Sequence, residues 1–485
     1  MTRPERLAIT HYHLRPGGVT RVISHAAEAM SRRGTRVVLL TGRALEPDQR
    51  LGAEVRVIEG LDYDTATPDQ ASRVAAAMTE AAEEALGGEP DLWHAHNHSL
   101  GKNSVYPAAL RHLADSGHRL LLQIHDFAED GRPALYRRLS EAFDDDDAVF
   151  GRACYPLADH VHYAVLNSRD RRMLLQAGLE PDRLHLIPNA VELKTSHEPV
   201  GVDPELLIYP TRAIRRKNIG EFLFWSALAE EGRRFAITLA PNNPLEQPRY
   251  RQWVEFAQEK QLPVEFEAGS FADRSFAELL ASAAALVTTS VAEGFGLAFL
   301  EPYLVGRPVV GRNLTQITED FSRHRIDLSS LYERLEVPLA WVGAEEVERR
   351  IESAIKKTFS AYRRPCDRQA IERAMGASIR DGCVEFGHLD ESLQRRAIET
   401  VLQNPAEAGS VTPQSLCPAG YDDPAVLENN RRVVCEQYGL SQYGDRLEQA
   451  YAAIGDPGRI DPEAHLGRRV LDTFLNPEHF LLLRT

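Results

Sequence analysis

Apolar positions along this chain fall into short runs of strand length separated by longer stretches with helical spacing, and the alternation occurs twice. Arg6 to Tyr12 is a short apolar run; the turn Pro16-Gly17-Gly18 follows, then apolar residues at helical spacing from Val19 to Met30. After Gly34, the runs Arg36 to Leu40 and Glu54 to Ile58 predict strands. The alanine-rich stretch Ala71 to Leu86 predicts a helix, and Leu92 to Ala95 and Arg119 to Ile124 predict further strands. Short strands alternating with helices imply a parallel, doubly wound sheet. A fresh series begins near Glu205. Its strands are the LLIYP run, Phe235 to Leu239, Val264 to Glu267 and Ala285 to Thr289, with helices from Ile219 to Glu230, Arg249 to Lys260 and Phe276 to Ala283. A turn at Glu293, a helix and the strand PVVG complete it. From about Ala344 the pattern becomes mostly helical, over 344–359, 366–403 and 423–453, before a tail from Gly455 that ends on FLLL.

The expected fold class is therefore α/β, with two doubly wound domains and additional C-terminal helices. The expected boundaries are 1–195, 196–342, a helical extension at 343–422, and C-terminal helices over 423–485 that return towards the first domain. The joint is placed at Glu192 to Pro204, where Pro and Gly cluster. A chain of 485 residues suits two or three domains.

Composition narrows the function classes. The formal net charge of −15 argues against nucleic acid as the main partner and gives no support to a polybasic membrane surface. No apolar run reaches spanning length, and the N-terminus lacks the order of a signal peptide. A cytoplasmic protein without an integral membrane segment is expected; nothing predicts its oligomeric state. The five cysteines form no CxxC pair, so reduced thiols are expected instead of a metal site or disulfide framework.

Doubly wound sheets bind ligands at the C-terminal ends of their strands, and the chemistry-bearing motifs cluster there. Gly17 and Gly18 open the first helix, where glycine lets a ligand approach and free N–H groups favour an anion. His125-Asp126 follows the strand RLLLQI and points to the cleft, where the imidazole can bond a sugar hydroxyl or a reacting oxygen. The His94–His98 cluster, HAHNH, also follows a strand and is expected to line the cleft. In YPTRAIRRKN, Arg212 and Lys217 lie near a helix start, where two cations can hold a diphosphate; Arg215 and Arg216 lie between them, so charge alone does not choose the pair. Glu293 and Glu301 bracket a glycine-rich turn. Carboxylates accept bonds from vicinal hydroxyls, and the backbone N–H groups of Gly294, Phe295, Gly296 and Leu297 would face phosphates. The acidic run Asp144 to Asp147 contains a DxD but follows no strand end; a solvated loop is expected there, and no metal.

Together these residues resemble a GT-B glycosyltransferase of the large retaining family four, the glycogen-synthase-like and sucrose-synthase-like group. The resemblance runs from the N-terminus to about Arg312 and resumes near Asn429 to Tyr451. It rests on PGGVTRVI, the His-Asp pair, VLNSRDRRMLLQAG leading to IPNAVE, the R-x4-K of Arg212 and Lys217, the Gly269 turn, and the E-x7-E of Glu293 and Glu301. It implies two Rossmann-like domains facing a cleft, the first binding the acceptor and the second the nucleotide-sugar donor. It also implies roles. Arg212 and Lys217 would bind the donor diphosphate and stabilise the leaving group. Glu293 would hold hydroxyls of the transferred sugar, and Glu301 the ribose. Gly17 and Gly18 would approach the phosphate, His125 would contact the donor sugar, and the base would lie near Ser270 and Phe271. Arg15, Asn97, Asp126 and Arg132 are candidate acceptor contacts. The chain departs from the family pattern at Ala190, Glu192 and Asn218, and the helical stretch from about 344 to 420 is longer than usual.

The expected activity is retaining transfer of a hexose from a UDP- or GDP-linked sugar to a hydroxyl of a small soluble acceptor: a polyol, organic acid or sugar, including phosphorylated ones. The donor is a substrate, and no cofactor is required. A lipid-linked or polysaccharide acceptor is the alternative. A nucleotide-sugar epimerase and a catalytically inactive sugar-nucleotide sensor are further ones.

Overall fold

The computed structural model describes residues 3–63, 66–192, 201–270, 275–461 and 466–484. The Glu192–Pro204 joint lies largely outside the described residues, since 193–200 are not among them. The chain forms two compact units. One comprises Met1–Ala190 with Tyr438–Leu475, the other Val191–Gln437 with Asn476–Thr485.

The first unit is built on a seven-stranded sheet. Its strands are β1 (Arg6–His11), β2 (Arg36–Thr41), β3 (Glu54–Val57), β4 (Leu92–His96), β5 (Leu120–Ile124), β6 (Val161–Val165) and β7 (Leu184–Leu186). They lie in the order β3-β2-β1-β4-β5-β6-β7, all parallel. Every residue of β4, β5 and β6 is buried, because helices cover both faces of a parallel sheet; such strands read as continuous apolar runs. The helix Gly18–Arg32 lays Val22, Ile23, Ala26 and Met30 onto this core. Its outer side is covered by Leu440–Ala453, which returns from the far end of the chain and inserts Leu440, Tyr443, Leu447 and Tyr451 into the same cluster. Fully burying an aliphatic side chain contributes about 1.5–3 kcal/mol. Polar contacts fix the register of this return: Arg33 donates to Ser441 O and Asp445 (both 2.7 Å), Arg119 to Ile454 O (2.6 Å), and the Tyr451 hydroxyl meets His94 Nδ1 at 2.9 Å. At Gly444 an added Cβ would lie 2.0 Å from the Arg33 guanidinium, so glycine leaves room for that side chain between the helices.

The second unit repeats the plan with six parallel strands: β8 (Asp203–Arg212), β9 (Arg234–Leu239), β10 (Val264–Phe266), β11 (Ala283–Thr288), β12 (Val309–Arg312) and β13 (Leu331–Tyr332). Their order is β10-β9-β8-β11-β12-β13. In each sheet the order reverses once, at β1/β4 and at β8/β11, and crevices for ligands open at such switch points.

One local expectation is corrected. Residues 366–403 are not one helical stretch. Helices Arg368–Ser378 and Glu391–Gln403 flank a hairpin of β15 (Ile379–Arg380) and β16 (Cys383–Glu385), which pairs with β14 (Glu336–Pro338). Asp381 and Gly382 both have positive φ, as a two-residue hairpin turn requires. The glycine-rich turn expected between the two glutamates contains a 3-10 turn at Leu297–Phe299 and runs into the short helix Glu301–Leu304, with Pro302 in its first turn and Gly306 just beyond it.

The helix Ile219–Ala227 has eight consecutive buried residues, Ile219 to Ser226, and therefore no solvent face. The helix Glu391–Gln403 packs against it. Behind both lies a buried ion network: Arg312 bonds Glu221 at 2.6 Å and Glu385 at 2.6 Å, and the Tyr332 hydroxyl donates to Glu221 at 2.6 Å. Among the described residues no helix is long and apolar enough to cross a membrane.

Candidate active site

In the second unit, the loop leaving β8 and the loop leaving β11 meet at the switch point. Arg212 ends β8, is exposed, and donates to Asn242 Oδ1 at 2.7 Å. The three basic residues after it form a 3-10 turn, Arg215–Lys217, closed by Asn218 in a left-handed conformation (φ 51°, ψ 56°). Each points to a different partner. Arg215 grips Glu391 through two bonds of 2.6 and 3.0 Å. Arg216 donates to Ala292 O at 2.7 Å and to Glu293 at 3.1 Å. The Lys217 ammonium lies against the other oxygen of Glu293. From below, the hydroxyls of Tyr209 and Thr289 donate to Lys217 O at 3.0 and 3.1 Å, so the strand ends themselves hold the backbone of the turn.

The Lys217–Glu293 pair is nearly dry, with side chains 15% and 9% exposed. Burial pulls the lysine below its ordinary pKa, and Glu293, with Glu301 further off, partly restores it; Arg216 opposes them. Burial alone would raise Glu293, but Lys217 and Arg216 outweigh it, and with bonds from Lys217 and Ser290 they hold the carboxyl at about 2. Glu293 is therefore charged at neutral pH.

Gly294 is half-buried and Phe295 buried; Gly296 (φ 96°) caps the 3-10 turn that begins at Leu297. A Cβ on Gly296 would lie 2.9 Å from the Phe299 ring and 3.0 Å from Ile317, so the turn has no room for another residue. Ser270 closes the short turn after β10 and is exposed; Gly269 beside it abuts Thr238 O, where a Cβ would lie 2.9 Å away. Phe271 lies outside the described residues.

In the first unit, Gly17 and Gly18 are exposed at the start of the 15-residue helix, with no side chain capping its first turn and no atom within 4 Å of a Cβ built on Gly18. Arg15 is exposed beside them. His125 is 5% exposed and shares a 2.8 Å hydrogen bond, through Nε2, with His96 Nδ1. Burial pushes its pKa down to about 3, so the ring is neutral. Asn97 (φ 54°) accepts the backbone N–H of His125 and Asp126 at 2.7 and 3.0 Å. Its carbonyl oxygen therefore serves the His-Asp turn. Arg132 folds back on Asp126 and on Phe127 O. The HAHNH cluster was expected to line the cleft; instead His94, His96 and His98 are all 0% exposed, because both faces of β4 are covered. Asp146 of the acidic run caps the helix Asp147–Cys154 by accepting from Ala148 N and Val149 N. Among the described residues no group of three His, Cys, Asp or Glu is arranged to hold a metal ion.

Several residues at these strand ends were not among the sequence candidates. Arg216 shares Glu293 with Lys217. Glu391 and Gln394 contact the β8 loop from a helix more than 170 residues away, which no local pattern reports. In the first unit His13, Tyr63 and Lys102 form a cluster: Tyr63 stacks edge-on to His13 at 4.8 Å, and the Lys102 ammonium sits 5.4 Å over the Tyr63 ring. Among the described residues Lys102 has no carboxylate within ion-pair distance, whereas neighbouring Arg43 is paired with Asp62 at 2.6 Å. The GKN turn after the histidine-rich strand was the available signal for Lys102.

Residues 16–195 match the family model described as Glycosyltransferase Family 4. The mannosylglucosyl-3-phosphoglycerate synthase of Petrotoga mobilis is 26% identical over 386 residues, which is 72% of this chain and 73% of that protein. Among solved structures, the sucrose-phosphate synthase of Thermosynechococcus elongatus has a TM-score of 0.54 at 16% identity, over 92% of this chain and 98% of that one. HepE of Anabaena in complex with UDP and glucose has a TM-score of 0.54 at 13% identity, over 92% and 99%. These structures share the architecture of two doubly wound domains. Residues 16–195 thus carry a Glycosyltransferase Family 4 domain, and the chain has the GT-B fold.

Proposed function

We propose that the enzyme transfers a hexosyl group, with retention, from a nucleotide diphosphate sugar to a hydroxyl of a small soluble acceptor that carries a phosphate or carboxylate. The observation that carries the donor half is the dry Lys217–Glu293 pair, with exposed Arg212 at the end of β8 and Glu301 eight residues beyond Glu293. A nucleotide diphosphate brings negative charge that Lys217 and exposed Arg212 match, while the sugar and ribose hydroxyls suit the two carboxylates. The second unit is accordingly the donor domain and the first the acceptor domain. The base rests near Ser270.

In this reading the acceptor hydroxyl attacks the anomeric carbon on the face from which the diphosphate departs. Its proton passes to the leaving phosphate oxygen, the new glycosidic bond forms and the sugar–phosphate bond breaks. No protein base is required. The protein's contribution is charge placed where the phosphate oxygens become more negative, and neutral His125 can bond the donor sugar without adding a competing cation. Arg212 and Lys217 supply the positive charge, so turnover is expected to be unchanged by EDTA; loss of activity restored by a divalent cation would contradict this.

The acceptor half draws on the Petrotoga relative, whose name describes a phosphoglycerate glycoside, and on Lys102, which lies over Tyr63 near His13 and has no carboxylate partner among the described residues. An acceptor phosphate or carboxylate would give that ammonium a partner, and the Tyr63 ring would shield the contact from water. The test is a mass-spectrometric acceptor screen with UDP- and GDP-sugars, followed by NMR of the product anomer. Transfer to phosphorylated or carboxylated hydroxy compounds is expected. Lys102→Ala should raise the acceptor KM about tenfold, as loss of a charge-assisted bond does, and leave the donor KM unchanged. Transfer only to lipid-linked or polymeric acceptors, or an epimerised donor formed without any acceptor, would refute the proposal.

A further inference from the structure

The turn that carries Lys217 is held from outside as well as from below, and the outside contacts come from the helix Glu391–Gln403. Asn218, which closes the turn, is 1% exposed and has a positive φ, so its side chain must be satisfied by protein. Gln394 Nε2 donates to its Oδ1 at 2.8 Å, and its own Nδ2 donates to Glu221 at 2.6 Å. Glu221 belongs to the buried network that reaches Glu385 through Arg312. Three residues earlier, Arg215 is locked by the bidentate bond to Glu391 at the start of the same helix. Gly220 allows the approach: a Cβ there would lie 2.1 Å from Gln394 Oε1. The terminal turn Leu482–Arg484 packs on the same three residues, with Leu483 buried. Arg215 and Asn218 are thus fixed on either side of Lys217, whose ammonium meets Glu293.

We propose that Gln394 and Glu391 are positioning residues for donor turnover: the helix that bears them braces the Arg215–Asn218 turn and so sets where the Lys217 ammonium stands. This rests on the donor reading above. Neither residue needs to touch the substrate. Without the brace, Asn218 loses the partner that stabilises its left-handed backbone, and the ammonium is free to shift; a displacement of about 1 Å at a catalytic group can cost as much as a hundredfold in rate.

The experiment uses the full-length enzyme. Gln394→Met keeps the volume and removes the bond to Asn218. It is expected to lower kcat about tenfold and raise the donor KM, with the acceptor KM unchanged. Adding Asn218→Gly should recover most of the lost kcat, since glycine takes the left-handed conformation without needing a side-chain anchor. Glu391, with its side chain 17% exposed, is at the start of this helix; Glu391→Gln keeps its volume, weakens the bond to Arg215, and should raise the donor KM three- to tenfold. A folded Gln394→Met enzyme with unchanged kcat and donor KM would overturn the proposal. So would a loss that Asn218→Gly deepens additively instead of rescuing, because that marks a merely structural contact. The parent Lys217→Ala enzyme separates the two ideas: if it retains normal turnover the donor reading itself fails, and if it is crippled while Gln394→Met is normal only the brace fails.

Discussion

Replacing Lys217 by alanine is expected to lower kcat by about 10²–10³, and Arg212→Ala by a similar factor, which corresponds to about 2.7–4 kcal/mol of lost transition-state stabilisation. Four cations crowd this loop, and the structure separates them. Arg215 is committed to Glu391, and Arg216 to Ala292 O and Glu293. Arg212 holds only a side-chain amide. Lys217 stands at the carboxylate that would hold the sugar, 15% exposed, where water screens its field little. The effect is expected mainly in kcat, because the charge on the bridging and leaving oxygens grows towards the transition state while the ground-state diphosphate is already bound by several groups. Glu293 keeps Arg216 in the variant, so no buried carboxylate is left without a cation and the protein should fold. Steady-state kinetics on material whose circular dichroism matches the parent will check this; near-normal turnover in both variants would remove the two residues from the mechanism.

Acidification is expected to unfold the first unit well before the second. His11, His94, His96, His98 and His125 are all buried at the C-terminal ends of neighbouring strands. Burial pushes His94 and His125 to about 3, His11 and His98 to about 4, and His96 well down, with neighbouring histidines adding repulsion at His11, His96 and His125. Each folded pKa lies below the unfolded value near 6.5. The folded form therefore binds fewer protons than the unfolded chain in this window. Stability is complete above pH 6.5 and falls as the pH drops from there towards 3 to 4, by up to about 1.4 kcal/mol per pH unit for each group. Two buried acids oppose this. Burial raises Glu129 to about 7 and Asp170 to about 6, so folding takes up protons there as the pH falls. Five histidines outweigh two acids, and a domain stability of about 5–15 kcal/mol is consumed within a few pH units. Hydrogen exchange followed by mass spectrometry should show β4 and β5 losing protection near pH 5 while β8 and β11 remain protected. His94→Gln should move the first transition to lower pH. Simultaneous loss in both units would show that the histidines do not control it.

The strands were legible because parallel strands covered on both faces concentrate Leu, Ile and Val into unbroken runs such as RVVLL and RLLLQI. The same physics hid the burial of His94 and His96: on a strand with two covered faces, alternation no longer distinguishes inside from outside. The donor-side residues were legible through their spacing, although charge alone left Arg215 and Arg216 as rivals, and only their partners distinguish them. The hairpin at 379–385 was missed because its strands are two and three residues long, too short for periodicity, although Asp381-Gly382 carried the turn signal. Asn218 was noticed as a departure from a usual glycine. Its left-handed backbone explains why only glycine or a residue like asparagine stands there. That its amide is answered by Gln394 was beyond any local reading, because the partner lies 176 residues on.

The return of Leu440–Ala453 onto the helix Gly18–Arg32 makes the first unit a high-contact-order structure despite its locally wound sheet. On the ribosome, at about 5–20 residues per second, residue 454 follows residue 190 by roughly 13–53 seconds. During that interval the outer side of the helix lacks Leu440, Tyr443, Leu447 and Tyr451, the side chains that later cover it. The first domain to be made is thus the last to be closed, and its nascent form is the stage at which a chaperone would have a surface to hold.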